Sequence, residues 1–102
     1  MADEVVVHEH AYKHGILKDD ILHAWRNAYA NQTRTGLYPP QHLLAGPDRR
    51  SRDLQLACVW DDDDQNWVVF HAMPLTNAAR RELGLRKRGQ DEVQNRRWHH
   101  RR

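Results

Sequence analysis

Hydrophobic residues recur along the chain with two different periods, and each period predicts its own kind of element. The β-branched run "EVVVH" (4–8) predicts a strand, and Glu9 to His14 predict a helical turn ended by Gly15. From Asp19 to Ala30 the apolar residues Ile21, Leu22, Trp25, Ala28 and Tyr29 fall at helical spacing. Asp19 and Asp20 occupy that helix's first turn, where its dipole favours negative charge, and His23, Arg26 and Asn27 form its polar side. "NQTRTGLYPP" (31–40) has the turn and breaker residues of a loop, with Pro39 and Pro40 forbidding a central strand.

The period then changes to two. "QHLLAG" (41–46) predicts a short strand and "PDRRSR" a basic turn. In "DLQLACVW" (53–60) Leu54, Leu56, Cys58 and Trp60 share one face by strict alternation. "DDDDQN" makes a turn and "WVVFHA" (67–72) returns, placing His71 on the face of Trp67 and Val69 and completing a three-stranded antiparallel meander. After Pro74, Thr76 is an N-cap for a helix from Asn77 to about Leu83, and Gly84 is its C′ stop. The expected architecture is an α+β domain with a four-stranded, mainly antiparallel sheet in the order β-α-β-β-β-α and helices packed on one face.

Length and charge refine this outline. A chain of 102 residues is one domain with one modest core. Its mean hydropathy of −0.97 is polar for a globular protein. Net charge is +2 but unevenly placed: residues 1–84 carry nine Lys or Arg against twelve Asp or Glu, and 85–102 carry seven against two. We therefore read 1–84 as the domain and 85–102 as a flexible basic tail, in which Arg86, Arg88 and the stacking ring of Trp98 suit a polyanion such as RNA. The single cysteine, the absence of a signal-like N-terminus and the lack of an apolar run near 20 residues predict a cytoplasmic protein with no membrane partner.

"HEHAYKHG" (8–15) holds three histidines in seven positions, and three readings stand side by side: metal ligands, a proton-transfer set, or polar residues clustered where a strand meets a helix. His10 and His14 lie four apart, which is also a zinc-pair spacing, but no third ligand follows at a telling distance, so neither metal nor cofactor is expected. Asp61 to Asp64 read as a solvated turn, since neighbouring side chains on extended backbone point apart.

Two segments carry a resemblance. "VVVHEHAYKHGILKDDILHAW" resembles the opening of the small BrnT-like toxins, in which a strand leads into a His-Ala…basic-x-Gly-Ile turn and an acidic-capped helix. "VVFHAMPLT" followed at once by "NAARREL" is similar to the last strand and basic helix of that group, so the likeness covers roughly residues 5 to 84. It implies a RelE-type fold, cytosolic endoribonuclease activity and a small antitoxin encoded beside the gene. Two positions depart from the family pattern: Leu17 stands where a capping Ser or Thr is usual, and Met73 replaces a strand-end arginine.

Metal-independent RNA cleavage needs a base for the 2′-OH, an acid for the leaving 5′-oxygen and cations for the charge developing on phosphorus. Histidine suits the first two roles and arginine the third. The expected catalytic set is His10, His14, His71 and Arg80, with Arg49, Arg50, Arg52 and Arg81 joining the tail in RNA binding. The competing reading, which the Met73 departure favours, is a catalytically silent binding module of the same fold.

Overall fold

The computed structural model describes residues 4–85. Strand β1 (Val5–Val7) leads through a 3₁₀ turn (Glu9–Tyr12) into helix α1 (Lys18–Arg26). Four strands follow, β2 (Ala30–Arg34), β3 (Gln41–Pro47), β4 (Asp53–Asp61) and β5 (Asn66–Pro74), and then helix α2 (Asn77–Glu82). They form one five-stranded sheet in the order β1-β5-β4-β3-β2, antiparallel except for the parallel pairing of β1 with β5. The fold is α+β, as the patterning predicts.

The sheet has five strands rather than four, because β2 lies inside the segment read as helix end and loop. The helix stops at Arg26, where Asn27 donates both its backbone N–H and its side-chain amide to the His23 carbonyl. The Tyr29 N–H then donates to the Ala45 carbonyl and draws the chain into the sheet. β2, "ANQTR", is an edge strand with a mostly exposed, polar sequence, so it carries no apolar alternation to betray it.

One face of the sheet holds the core. Leu54, Leu56 and Cys58 of β4 and Val69 and Ala72 of β5 pack against Ile21 and Ala24 of α1 and against Ala11 of the 3₁₀ turn, all 2% exposed or less. Burying Ile21 alone is worth about 1.5–3 kcal/mol. Gly46 of β3 faces α1 so closely that a Cβ placed there would collide with the Ala24 carbonyl oxygen.

The two helices lie against opposite faces rather than one. α2 is tethered to Asp53 and Gln55, which alternate with Leu54 and so point away from α1. Its ends behave as the sequence predicts: the Thr76 hydroxyl accepts from the Ala79 N–H, and Gly84, at φ +76°, closes the C-terminus with Leu85 N–H to Arg80 and Gly84 N–H to Arg81.

The β3–β4 turn is built around Asp48, which is 2% exposed. Its Oδ1 accepts from the Arg50 and Arg52 N–H groups and its Oδ2 from Arg52 Nε at 2.7 Å. Burial pushes this carboxyl up, but the two amides and the guanidinium outweigh it and hold it below the usual range. Asp48→Ala leaves two amides without their acceptor, each worth about 1–3 kcal/mol. The expected loss, about 2–4 kcal/mol, reads as a lower urea midpoint at constant slope, with Asp48→Asn less affected because it keeps Oδ1.

Candidate functional site

The stretch "HEHAYKHG" divides its histidines between structure and site. His8 is the N-cap of the 3₁₀ turn: its Nδ1 accepts from the His10 N–H at 3.1 Å, its own N–H extends the β1–β5 ladder onto Val69, and its ring stacks on His10. Ala11 points into the core, which turns His10, Lys13 and His14 towards the other side of the sheet. Gly15, at φ +78°, ends the turn.

His71 reaches the same place through a bulge. Uninterrupted alternation would put it with Trp67 and Val69 on the core face. Instead the β4–β5 ladder shifts, with Cys58 opposite Val69 and Ala57 opposite His71, leaving Phe70 as an extra residue. Everything after the bulge changes face. His71 therefore shares the α2 face with Gln55 and Ala57, away from the core residues it would otherwise join.

These groups surround one cleft of about 380 Å³. Leu43, Gln55, Ala57 and His71 form its floor, His10, Lys13 and His14 one wall, and Arg34 of β2 another. The His14 and His71 rings meet edge to face with centroids 5.6 Å apart. Among the described residues no carboxylate lines the cleft; Glu82 of α2 bonds the lining residue Arg34 through paired contacts of 2.7 and 2.9 Å. That pairing holds the Glu82 carboxyl below its usual range and anchors Arg34 at the rim.

Burial lowers the pKa of His71 from its ordinary 6.5, and the charges of His14, Arg34 and Lys13 lower it further. The folded state thus binds this proton less readily than the unfolded chain does. The neutral imidazole's contribution to stability is complete above pH 6.5 and is lost as pH falls below it. Urea midpoints measured between pH 5 and pH 7.5 should fall less steeply on the acid side for His71→Gln than for the unaltered protein.

Of the expected catalytic residues, His10, His14 and His71 are brought together and Arg80 is not among the cleft-lining residues. Arg80 donates to Asp53 Oδ2 at 3.3 Å, and Asp53 Oδ1 accepts from the Tyr29 hydroxyl at 2.7 Å, a cluster that fastens α2 to β4. Burial, then the bond to Asp53, raise the Tyr29 phenol to about 12.

Arg49, Arg50 and Arg52 line a second cleft, of about 610 Å³, with Gly15 to Leu17 and Asp20. Arg49 there binds Asp20 through Nε at 2.9 Å and through its N–H at 3.0 Å, holding that carboxyl down at about 2. Arg81 is exposed on α2. Arg86, Arg88 and Trp98 lie outside the described residues.

Sequence reasoning missed Arg34, Lys13 and Gln55. Lys13 had a signal, since it is the basic residue of "HAYKHG". Gln55, an amide in the otherwise apolar run "LQLACV", had another. Arg34 had none, because its strand was not foreseen.

Among the described residues no group of three or more His, Cys, Asp or Glu is placed to hold a metal ion. No helix there is long and apolar enough to cross a membrane. Comparisons with models of protein families, with characterised proteins and with solved structures returned no match.

Proposed function

We propose that the chain is a ribonuclease of the BrnT-like toxin class, cleaving RNA without a metal in the histidine cleft and restrained by a small antitoxin. The observation that carries the reading is the convergence of three imidazoles with Lys13 and the Glu82-paired Arg34 on one cleft whose described lining residues include no carboxylate. Such a site favours an anion. Imidazoles beside it suit proton transfer near neutral pH, and the likeness of residues 5 to 84 to the toxin family supports RNA as the polyanion.

In this chemistry one imidazole removes the 2′-OH proton and the 2′-oxygen attacks the adjacent phosphorus. The bond from phosphorus to the 5′-oxygen breaks, leaving a 2′,3′-cyclic phosphate, and an acid supplies a proton to the departing oxygen. Arg34 and Lys13 are the cations near enough to offset the charge on phosphorus, the part the sequence alone gave to Arg80.

Cleavage of a labelled RNA by the purified full-length chain should persist in excess EDTA and yield cyclic phosphate ends. Loss in EDTA with recovery on adding zinc would overturn the reading. Induced expression should arrest growth and degrade RNA, and co-expression of the neighbouring reading frame should relieve both. Tight RNA binding without any cleavage would instead favour the silent module, the reading to which Met73 points.

A further inference from the structure

Gln55, the third residue of β4, is 9% exposed, and each end of its amide has a partner. One end receives the Thr76 backbone N–H at 2.9 Å and the Thr76 hydroxyl at 2.8 Å. A backbone N–H only donates, so the atom it meets is the carbonyl oxygen. The orientation of the amide therefore follows from chemistry and not from the near-equivalence of its two ends. The Thr76 hydroxyl is committed in turn, because its oxygen already accepts from the Ala79 N–H as the cap of α2. The other end of Gln55, its NH₂ group, lies 3.4 Å from Nε2 of His71.

An amide NH₂ has no lone pair to offer, so a hydrogen bond across this 3.4 Å contact requires Nε2 to be the acceptor, free of a proton. The imidazole is then neutral, with its hydrogen on Nδ1. The surroundings agree: His10, Lys13 and His14 after β1, and Arg34 on β2, are cationic or potentially so, Arg34 being paired with Glu82, and among the described residues no carboxylate lines the cleft to favour a second proton on the ring.

We propose that Gln55, oriented by Thr76, is a positioning residue that keeps His71 as the neutral Nδ1–H tautomer, making it a hydrogen-bond donor to an anion in the cleft rather than the base. A proton taken up at Nε2 would break the bond to Gln55. That leaves His14 and His10 for the base, and His14 is the one whose ring faces His71, whereas the His10 ring stacks on His8. The assignment of the base rests on the ribonuclease reading; the tautomer of His71 does not.

The two are separated by measuring the tautomer without RNA. In full-length ¹⁵N-labelled protein, two-bond proton–nitrogen spectra of the imidazoles should show His71 protonated at Nδ1 and bare at Nε2. Adding inorganic phosphate should move the His71 ring signals while Nε2 stays bare.

Gln55→Glu is the informative variant. Its carboxylate still accepts from Thr76, so α2 stays capped, but its second oxygen cannot donate. The His71 proton should move to Nε2, and its titration midpoint should rise by about one pH unit or more. Gln55→Met, which neither donates nor carries charge, should release the ring to mix tautomers and checks that any change in Gln55→Glu is not charge alone. A His71 proton on Nε2 in the unaltered protein, an unchanged tautomer in Gln55→Glu, or phosphate binding that leaves the His71 signals still would each overturn the proposal. If the tautomer is as stated and RNA is left intact, the positioning role stands and the ribonuclease reading falls.

Discussion

Gly46→Ala is expected to destabilise the fold by about 3 kcal/mol or more, lowering the melting temperature by more than about 10 °C for a domain of this size. The added methyl would meet the Ala24 carbonyl oxygen, a backbone atom in the middle of α1 that cannot swing aside as a side chain would. Relief requires α1 to lift from β3, which opens the packing of Ile21 and Ala24 on Leu54 and Leu56. The glycine is demanded by space, not by backbone angle. Gly36 makes the control: it has φ +86° with nothing within 4 Å of an added Cβ, so Gly36→Ala should cost only about 1–2 kcal/mol through its left-handed backbone. Thermal melts of both variants, followed by circular dichroism, decide the matter. A Gly46→Ala protein melting within a few degrees of the unaltered one would mean that helix and sheet are not in the close contact described.

The same contact shows what patterning could and could not convey. β4 was legible because both of its faces are written in the sequence, Leu54, Leu56 and Cys58 on one and Gln55 and Ala57 on the other. α2 was legible because its caps are local chemistry, Thr76 at one end and Gly84 at the other. β2 was not, since an edge strand can be stabilised by backbone pairing to β3 alone and needs no apolar face. The parallel placement of β1 beside β5 joins residues some sixty positions apart, and no local signal reports such a pairing.

The site followed the same division. His10 and His14 were visible as a cluster, and Lys13 lay between them, marked as the basic residue of the turn but not as part of the site. His71 was singled out for its type and assigned to the wrong face, because a bulge at Phe70 is invisible to a rule of strict alternation. That single extra residue decides whether His71 is a core histidine or a member of the cleft. Arg80 illustrates the converse: its position in a basic helix suggested phosphate, whereas Asp53 holds it for anchoring α2.

On the proposed ribonuclease reading, His14→Gln should reduce RNA cleavage by about 10² to 10⁴-fold, the usual worth of a general base, with little change in melting temperature. His14 is exposed and meets His71 edge to face on the cleft side of the sheet, so the substitution removes no core packing. Glutamine keeps a polar group of similar reach but cannot take a proton from a 2′-hydroxyl near neutral pH. His71→Gln is expected to behave differently. If the imidazole serves as a neutral donor, the glutamine amide replaces that donor, and the loss should be smaller than for His14→Gln and show mainly in KM. The comparison is sharpest as a pair of pH profiles. The unaltered protein and His71→Gln should both lose activity as falling pH protonates the base, whereas the residual rate of His14→Gln should lack that acid limb. Equal losses in the two variants, with the acid limb retained in both, would place the base elsewhere, and His10, the remaining imidazole of the cleft, would be the group to test by the same measurement.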